Sequence, residues 1–236
     1  MMGMKIKLWG VRGSLPTPLR PQLLETRIRS LLTEFAQSKL SVDKFFAQLP
    51  RQTLGGFGGN TACIEVSSEN QTIVVDGGSG LRHVNEKLMK GPCAKGEGCV
   101  DILFTHFHWD HLVGLPFFVP IFIPGNQINV YSVQSDVEQA FRHVFQKPYF
   151  PVPYERLGAK ITYHQLEPRQ TRQFGDLEVT PYQLDHPDPC WGYKFVHQGK
   201  TFSYCVDTEC VRTSRNDLGP DRPLYEGVDL MVFDAQ

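Results

Sequence analysis

His106, His108, Asp110 and His111 put four side chains able to bind a metal within six positions, in the run His106-Phe107-His108-Trp109-Asp110-His111. Histidines at i and i+2 on a strand end or tight loop point the same way, so both reach one ion. Asp110 and His111 follow on the turn and can face a second ion close by. Two adjacent cations polarise a phosphoryl or carbonyl oxygen and hold a hydroxide at neutral pH. A histidine-rich surface loop accounts for one such residue. Three with an aspartate at this spacing point to metal chemistry.

One motif does not saturate two ions, so further ligands are expected. His186 follows a strand in Leu184-Asp185-His186-Pro187, where the proline helps fix the turn. Asp207 ends the strand Tyr204-Cys205-Val206. Both are candidates, and since a carboxylate can bridge two cations, Asp207 is the natural bridge. The bland alternatives are a loop histidine for His186 and a turn cap for Asp207.

These side chains need strands to position them. Residues 101–105 read as a buried strand that delivers the motif at its C-terminal end, where catalytic groups gather in layered α/β folds. Residues 5–9 alternate as a first strand, and residues 10–14 form a glycine-bounded turn continued by Pro16, Pro18 and Pro21. Leu23, Leu24, Ile28, Leu31, Leu32 and Phe35 then recur at helical spacing. A second short helix after Ser41 carries Phe45, Phe46 and Leu49. This helical pair, residues 19–52, reads as an insertion after the first strand. It is expected to be a packed decoration, with a lid or a dimer surface as the alternative. Gly55-Gly56-Phe57-Gly58-Gly59-Asn60-Thr61 could bring backbone N–H groups to an anion, but no Lys-Ser/Thr follows to make it a P-loop.

Residues 63–66 and 72–75 read as strands, the second ending in the sharp turn Asp76-Gly77-Gly78-Ser79-Gly80 before a helix over 81–90. A strand over 127–132 and a helix over 136–146 follow. Further strands are expected over 160–166, 177–184, 192–197, 201–206 and, as a core strand closing the chain, 230–233. That order suits two packed sheets with helices outside. His143 reads as a surface or packing residue. Residues 149–153 form an aromatic, proline-stiffened loop that either walls a cleft or packs. Cys93 and Cys99, at a spacing that fits no common zinc knuckle, read as loop thiols, with a redox bridge as the lesser alternative.

Composition sets the remaining bounds. The 236 residues suit one domain, or one domain with an insertion, and 41% hydrophobic content supports a normal core. A net charge of −1 gives no global attraction to nucleic acid or anionic membrane. No run of eighteen apolar residues and no signal-like N-terminus occurs, so no membrane span is expected and a cytoplasmic location is. Six cysteines do not make a dense disulfide framework.

The chain resembles the metallo-β-lactamase superfamily, in the branch of ribonuclease Z-like and cyclic-nucleotide phosphodiesterase-like hydrolases. The carriers are Gly10-Val11-Arg12-Gly13-Ser14, Gly58-Gly59-Asn60-Thr61, Asp76-Gly77-Gly78-Ser79-Gly80, residues 105–111, residues 184–193, Val206-Asp207-Thr208 and residues 228–235. The resemblance implies a four-layer αββα sandwich over residues 1–236. It implies His106, His108 and His186 on a first ion, Asp110 and His111 on a second, Asp207 bridging, and Asp76 orienting a ligand. The implied cofactors are two divalent cations, zinc at the nitrogen-rich site, with manganese or iron possible at the carboxylate-rich one.

The resemblance leads us to expect hydrolysis of a small phosphodiester or nucleotide by a metal-bound hydroxide, with Asp110 as the catalytic residue that orients or deprotonates the water. RNA is a conceivable but unsupported substrate, because no nucleic-acid module or basic arm is present. The alternatives are hydrolysis of a lactone, thioester or β-lactam, and a metal-binding scaffold without turnover. One departure matters. Such proteins usually supply a further histidine after the late strand, and ribonuclease Z-like members a catalytic one, yet the sequence reaches Gln236 with neither. His83, His143, His164 and His197 match neither position. The C-terminal part of the fold is therefore expected to be missing, or the second site to be incomplete.

Overall fold

The computed structural model describes residues 3–50 and 59–234. The Gly55–Gly58 portion of the glycine-rich loop, the end of the helical insertion and Ala235 lie outside the described residues. Two sheets form the centre. The first has the order β1-β2-β3-β4-β5-β6: Lys5–Gly10, Cys63–Ser67, Thr72–Val75, Cys99–Leu103, Gln127–Ser132 and Lys160–Gln165. Strands β1 to β3 pair antiparallel, and β3 to β6 run parallel. The second has the order β11-β10-β9-β8-β7: Leu230–Phe233, Lys200–Cys205, Trp191–His197, Leu177–Gln183 and Arg172–Phe174.

Alternation within strands assigns side chains to layers. In β3, Ile73 and Val75 face the second sheet, where they meet a core containing Tyr193, Phe195, Phe202 and Tyr204. Val74, between them, faces the opposite way and joins Ile102, Ile128 and Val130. That outer face is covered by α3 (Leu81–Leu88), through Leu81 and Val84, and by α5 (Val137–Val144), through Val137, Phe141 and Val144. The outer face of the second sheet is covered more thinly, by Leu224 of a 3-10 segment against Leu184, Cys190 and Cys205. The result is the expected four-layer αββα sandwich. No helix among the described residues is long and apolar enough to cross a membrane.

Several expectations change. Cys99 is not a loop thiol but opens β4, which ends at Leu103 rather than at Thr105. Cys93 is buried in a 3-10 turn, and both cysteines are free. Strand β7 has only three residues, too few to show a period, and α6 (Arg215–Leu218) with its following 3-10 turn was equally hidden. Strand β11 is not a core strand; it is a half-exposed edge with Leu230 and Phe233 open. Phe150 packs on Phe117, Phe122 and Phe145 rather than walling a cleft. His143 is exposed, as expected.

The helical pair is α1 (Pro21–Ser38) and α2 (Val42–Gln48). It holds itself together through Phe35 against Phe45, ring centroids 5.3 Å apart, but α1 buries none of its own residues. Leu24, Ile28 and Leu32 stay open to solvent, so the pair is less packed than a decoration on the body would be.

The fold brings the carboxyl ends of four strands to one edge. Strands β3 and β4 are parallel, and β8 and β10 run in the same direction on either side of β9. Their ends carry Asp76, the His106 motif, His186 and Asp207. The motif helix, α4 (Trp109–Leu112), is sewn to the turn over 76–80 by its backbone. Gly77 N–H donates to His111 O at 2.8 Å, and Gly114 N–H donates to Gly77 O at 2.8 Å. A Cβ at Gly78 would collide with Asp110 O, and with Ala62 O at 2.5 Å and Thr61 Oγ1 at 2.6 Å. Gly78→Ala is therefore expected to cost about 1–3 kcal/mol, measured by urea unfolding, and to displace Asp110; unchanged stability would disprove this close packing.

Candidate metal centre

All six residues singled out as ligands converge. His106, His108, His186 and Asp207 form one group, and Asp110, His111 and Asp207 a second; within each, the ligand atoms lie within 4.8 Å of one another. Asp207 belongs to both. Its Oδ2 is 3.0 Å from His111 Nε2 and 3.4 Å from His106 Nε2. His108 Nδ1 and His186 Nε2 face each other at 3.1 Å. The remaining histidines are elsewhere: His83 stacks on Trp9, His164 stacks on Tyr131, and His197 Nδ1 bonds Asp176 O.

The backbone here is unusual. Asp76 and Asp207 both adopt left-handed φ, 63° and 57°. Non-glycine residues in that region cluster at functional sites. Asp76 is fully buried beneath the cluster. Its carboxylate accepts the Thr105 N–H at 2.9 Å and the Thr105 hydroxyl at 3.0 Å, and its Oδ2 lies 3.0 Å from His111 Nδ1. Asp110 is fixed from the other side, its Oδ2 accepting the Ser14 N–H at 2.8 Å, while its carbonyl accepts the Thr61 hydroxyl at 2.6 Å.

Whether these residues suit a cation can be tested on His106. Its ring is 1% exposed, yet Nε2 has no hydrogen-bond partner among the described residues. Its other nitrogen, Nδ1, lies 3.1 Å from Thr105 Oγ1 and 3.5 Å from Cys190 Sγ. A buried orphan nitrogen is costly unless something electron-poor sits opposite it. His108 gives the same indication. Asp188 Oδ2 lies 2.7 Å from its Nε2, which favours the tautomer with the proton there and a lone pair on Nδ1. That lone pair points at His186 Nε2. Convergent nitrogen and carboxylate donors around a common space fit a divalent cation.

Charge is distributed unevenly. Burial, followed by the neighbouring His111, holds His106 down to about 2, so it is neutral. Burial alone would pull His111 down as well, but Asp76 and Asp207 outweigh it and push His111 up to about 10. Burial would raise Asp207, and the bond and charge of His111 overcome that, leaving it below the usual carboxylate range.

Sequence reasoning missed four contributors. Thr105 and Ser14 act through hydrogen bonds that no periodicity reveals. Asp188 lies within the segment already singled out, between Pro187 and Pro189, and an acid two residues from a ligand histidine was a usable signal. The fourth is an ionic network. Arg212 ion-pairs with Asp185, donates its backbone N–H to Asp185 Oδ2 at 2.8 Å and its Nη1 to Asp221 Oδ2 at 2.9 Å. Arg169 clamps Asp221 with bonds of 2.9 and 3.0 Å. These charges fasten the His186 turn to the loop that follows Asp207.

In chelator-treated protein, His111 is expected to carry both ring protons at pH 8, and Asp76→Asn to return it towards the ordinary histidine range. The folded-state value is raised, so its stabilisation is complete below about pH 6.5 and is lost as pH rises through about 10. Ring 15N chemical shifts and thermal melts across that window check this; a neutral His111 at pH 8 contradicts it.

The Beta-lactamase superfamily domain profile matches residues 71–236, more than half of the chain. Ribonuclease Z of Pyrococcus abyssi is 24% identical over 164 residues, covering 68% of this chain and 50% of that protein. Ribonuclease BN of Cronobacter sakazakii is 27% identical over 135 residues, covering 53% of this chain and 39% of that protein. The chain thus spans about half the length or less of these curated relatives. Among solved structures, the metallo-beta-lactamase fold protein YhfI from Bacillus subtilis aligns with a TM-score of 0.51 at 16% identity, over 85% of this chain and 61% of that one. That likeness shows the fold. With its family profile over most of the chain and the matching sandwich, the chain belongs to the metallo-β-lactamase superfamily, and within it is similar in sequence to ribonuclease Z.

Proposed function

We propose that this protein is a metal-dependent phosphodiester hydrolase. The observation that carries the reading is the buried, unpartnered His106 Nε2 at the centre of the convergent donors. His106, His108, His186 and Asp207 would hold one divalent cation, and Asp110, His111 and Asp207 a second. Zinc suits the nitrogen-rich group; manganese or iron suits the carboxylate-rich one. The chemistry such a pair supplies when bound is Lewis-acid polarisation of a phosphoryl oxygen and acidification of water.

The chain's own residues do the rest. Asp110 is the proposed proton acceptor for the attacking water. The Ser14 N–H fixes one of its oxygens, which leaves the other to orient that water. Asp76 holds the His111 ring through Nδ1, and Asp188 holds the His108 ring through Nε2, so both present their other nitrogen inward. The ribonuclease names of the relatives support a phosphodiester rather than a carbonyl substrate.

Full-length protein reconstituted with zinc or manganese is expected to turn over bis-p-nitrophenyl phosphate, and His108→Ala to abolish that turnover. Turnover that survives His108→Ala contradicts the site assignment. Turnover of thioesters or lactones without phosphodiesters contradicts the substrate class. Asp188→Asn is expected to weaken metal binding by about 10–100-fold in chelator competition, without changing the melting temperature of the metal-free protein. Unaltered affinity would leave Asp188 without this role.

A further inference from the structure

A cleft of about 570 Å³ opens beside Asp207, between the turn that follows β1 and the ends of β10 and β11. The hydrolytic reading uses Asp207 and the Ser14 N–H and leaves Arg12 and the apolar side of the cleft unexplained. Two of its features are chemically distinct. One is Arg12, whose guanidinium is exposed and partly committed: its Nε donates to Thr17 Oγ1 at 3.1 Å, and among the described residues nothing engages its terminal nitrogens. The other is an apolar wall of Val11, Leu15 and Phe233, 43%, 70% and 44% exposed. A planar guanidinium whose two terminal NH2 groups have no partner among the described residues is shaped for the oxygens of a phosphate. An adjoining apolar wall suits an organic substituent on that phosphate.

The turn is anchored to the metal cluster. The Ser14 N–H is held by Asp110 Oδ2 at 2.8 Å, and Ser14 adopts a left-handed φ of 65°. The Arg12 N–H donates to Asn60 O at 3.0 Å, and the Thr17 N–H donates to Gly59 O at 2.7 Å. Arg12 therefore starts from a backbone whose position is tied to Asp110.

We propose that this cleft is the substrate-reading subsite. Arg12 binds a non-bridging oxygen of a phosphodiester monoanion, and the diester's apolar alcohol group lies against Val11, Leu15 and Phe233. The inference rests on the phosphodiester reading above and adds which diesters are preferred: those with an aromatic or otherwise apolar arm. Asp207 and Asp234 also line the cleft. Asp207 opposes an anion until cations neutralise it, so the subsite works in the metal-loaded protein.

The test is calorimetric binding of diphenyl phosphate and dimethyl phosphate to the zinc-loaded full chain. Each titrated sample is checked for released phenol or methanol, so that the recorded heats report binding. Diphenyl phosphate is expected to bind more tightly than dimethyl phosphate. Arg12→Ala is expected to weaken both by about tenfold with metal content unchanged, and Arg12→Lys to recover only part of the loss. Leu15→Ser is expected to narrow the gap between the two diesters. If Arg12→Ala disturbs folding, Arg12→Gln, which can keep the Thr17 contact, takes its place. Unchanged affinities in a metal-replete Arg12 variant overturn the proposal, as does equal affinity for the neutral triester trimethyl phosphate. The two readings fail separately. Arg12-dependent binding of diphenyl phosphate by a protein that hydrolyses no diester keeps the subsite and removes the activity. Unaltered kinetics on bis-p-nitrophenyl phosphate, together with unaltered binding, remove the subsite and keep the activity.

Discussion

A single buried carboxylate, that of Asp76, organises this structure. It sits at the end of β3 with no exposure to solvent. A charge in that position costs several kcal/mol unless its oxygens are fully paired. Its partners are Thr105, two residues beyond the end of β4, and His111, in the motif helix. Satisfying Asp76 therefore draws the histidine motif onto the sheet edge and fixes which His111 nitrogen faces inward. The same charge acts on its surroundings. Burial, with Asp76 as the next contributor, raises the Cys63 and Cys190 thiols and the Tyr193 and Tyr204 phenols, so the groups around the site stay neutral.

The second sheet reaches the site by different physics. His186 and Asp207 lie on loops beyond strand ends, where no ladder constrains them. The Arg169–Asp221–Arg212–Asp185 network supplies the constraint. Two acids, 2% and 9% exposed, are each met by an arginine. Breaking such a network by removing one member leaves an unpaired buried charge, so the four residues act as a unit. A backbone bond from Trp191 N–H to Thr105 O, 3.0 Å, and the Tyr193 hydroxyl on Phe104 O, 2.6 Å, close the seam between the sheets.

What the sequence disclosed follows from these distances along the chain. The H-x-H-x-D-H cluster was legible because its members are local and their spacing alone decides their direction. His186 and Asp207 were legible because each follows closely on a strand, and strands of one sense deliver their ends to one edge. Asp188 was marked only by its closeness to His186; its role depends on a histidine 80 positions away. Asp221 bonds Arg169 across 52 positions with no local signature. The short β7 and the 3-10 turn that contains Pro223 carry no period to detect. Strand β11 looked central because its residues are apolar, yet it pairs on one side only and lies at an edge.

The two donor groups also differ in how they meet the absence of a cation. In the first, His106 is neutral and its inward nitrogen is unpartnered. In the second, His111 lies between Asp76 and Asp207, 3.0 Å from each, and holds a proton to about pH 10. That imidazolium is itself a cation placed among Asp76, Asp110 and Asp207. On the proposed reading, loading the second position replaces the Nε2 proton of His111, so metal and proton compete there directly. Loading the first displaces no proton from His106. The second position should therefore depend steeply on pH through the proton that His111 must give up. This asymmetry comes from the placement of Asp76 behind one histidine and of Thr105 and Cys190 behind the other.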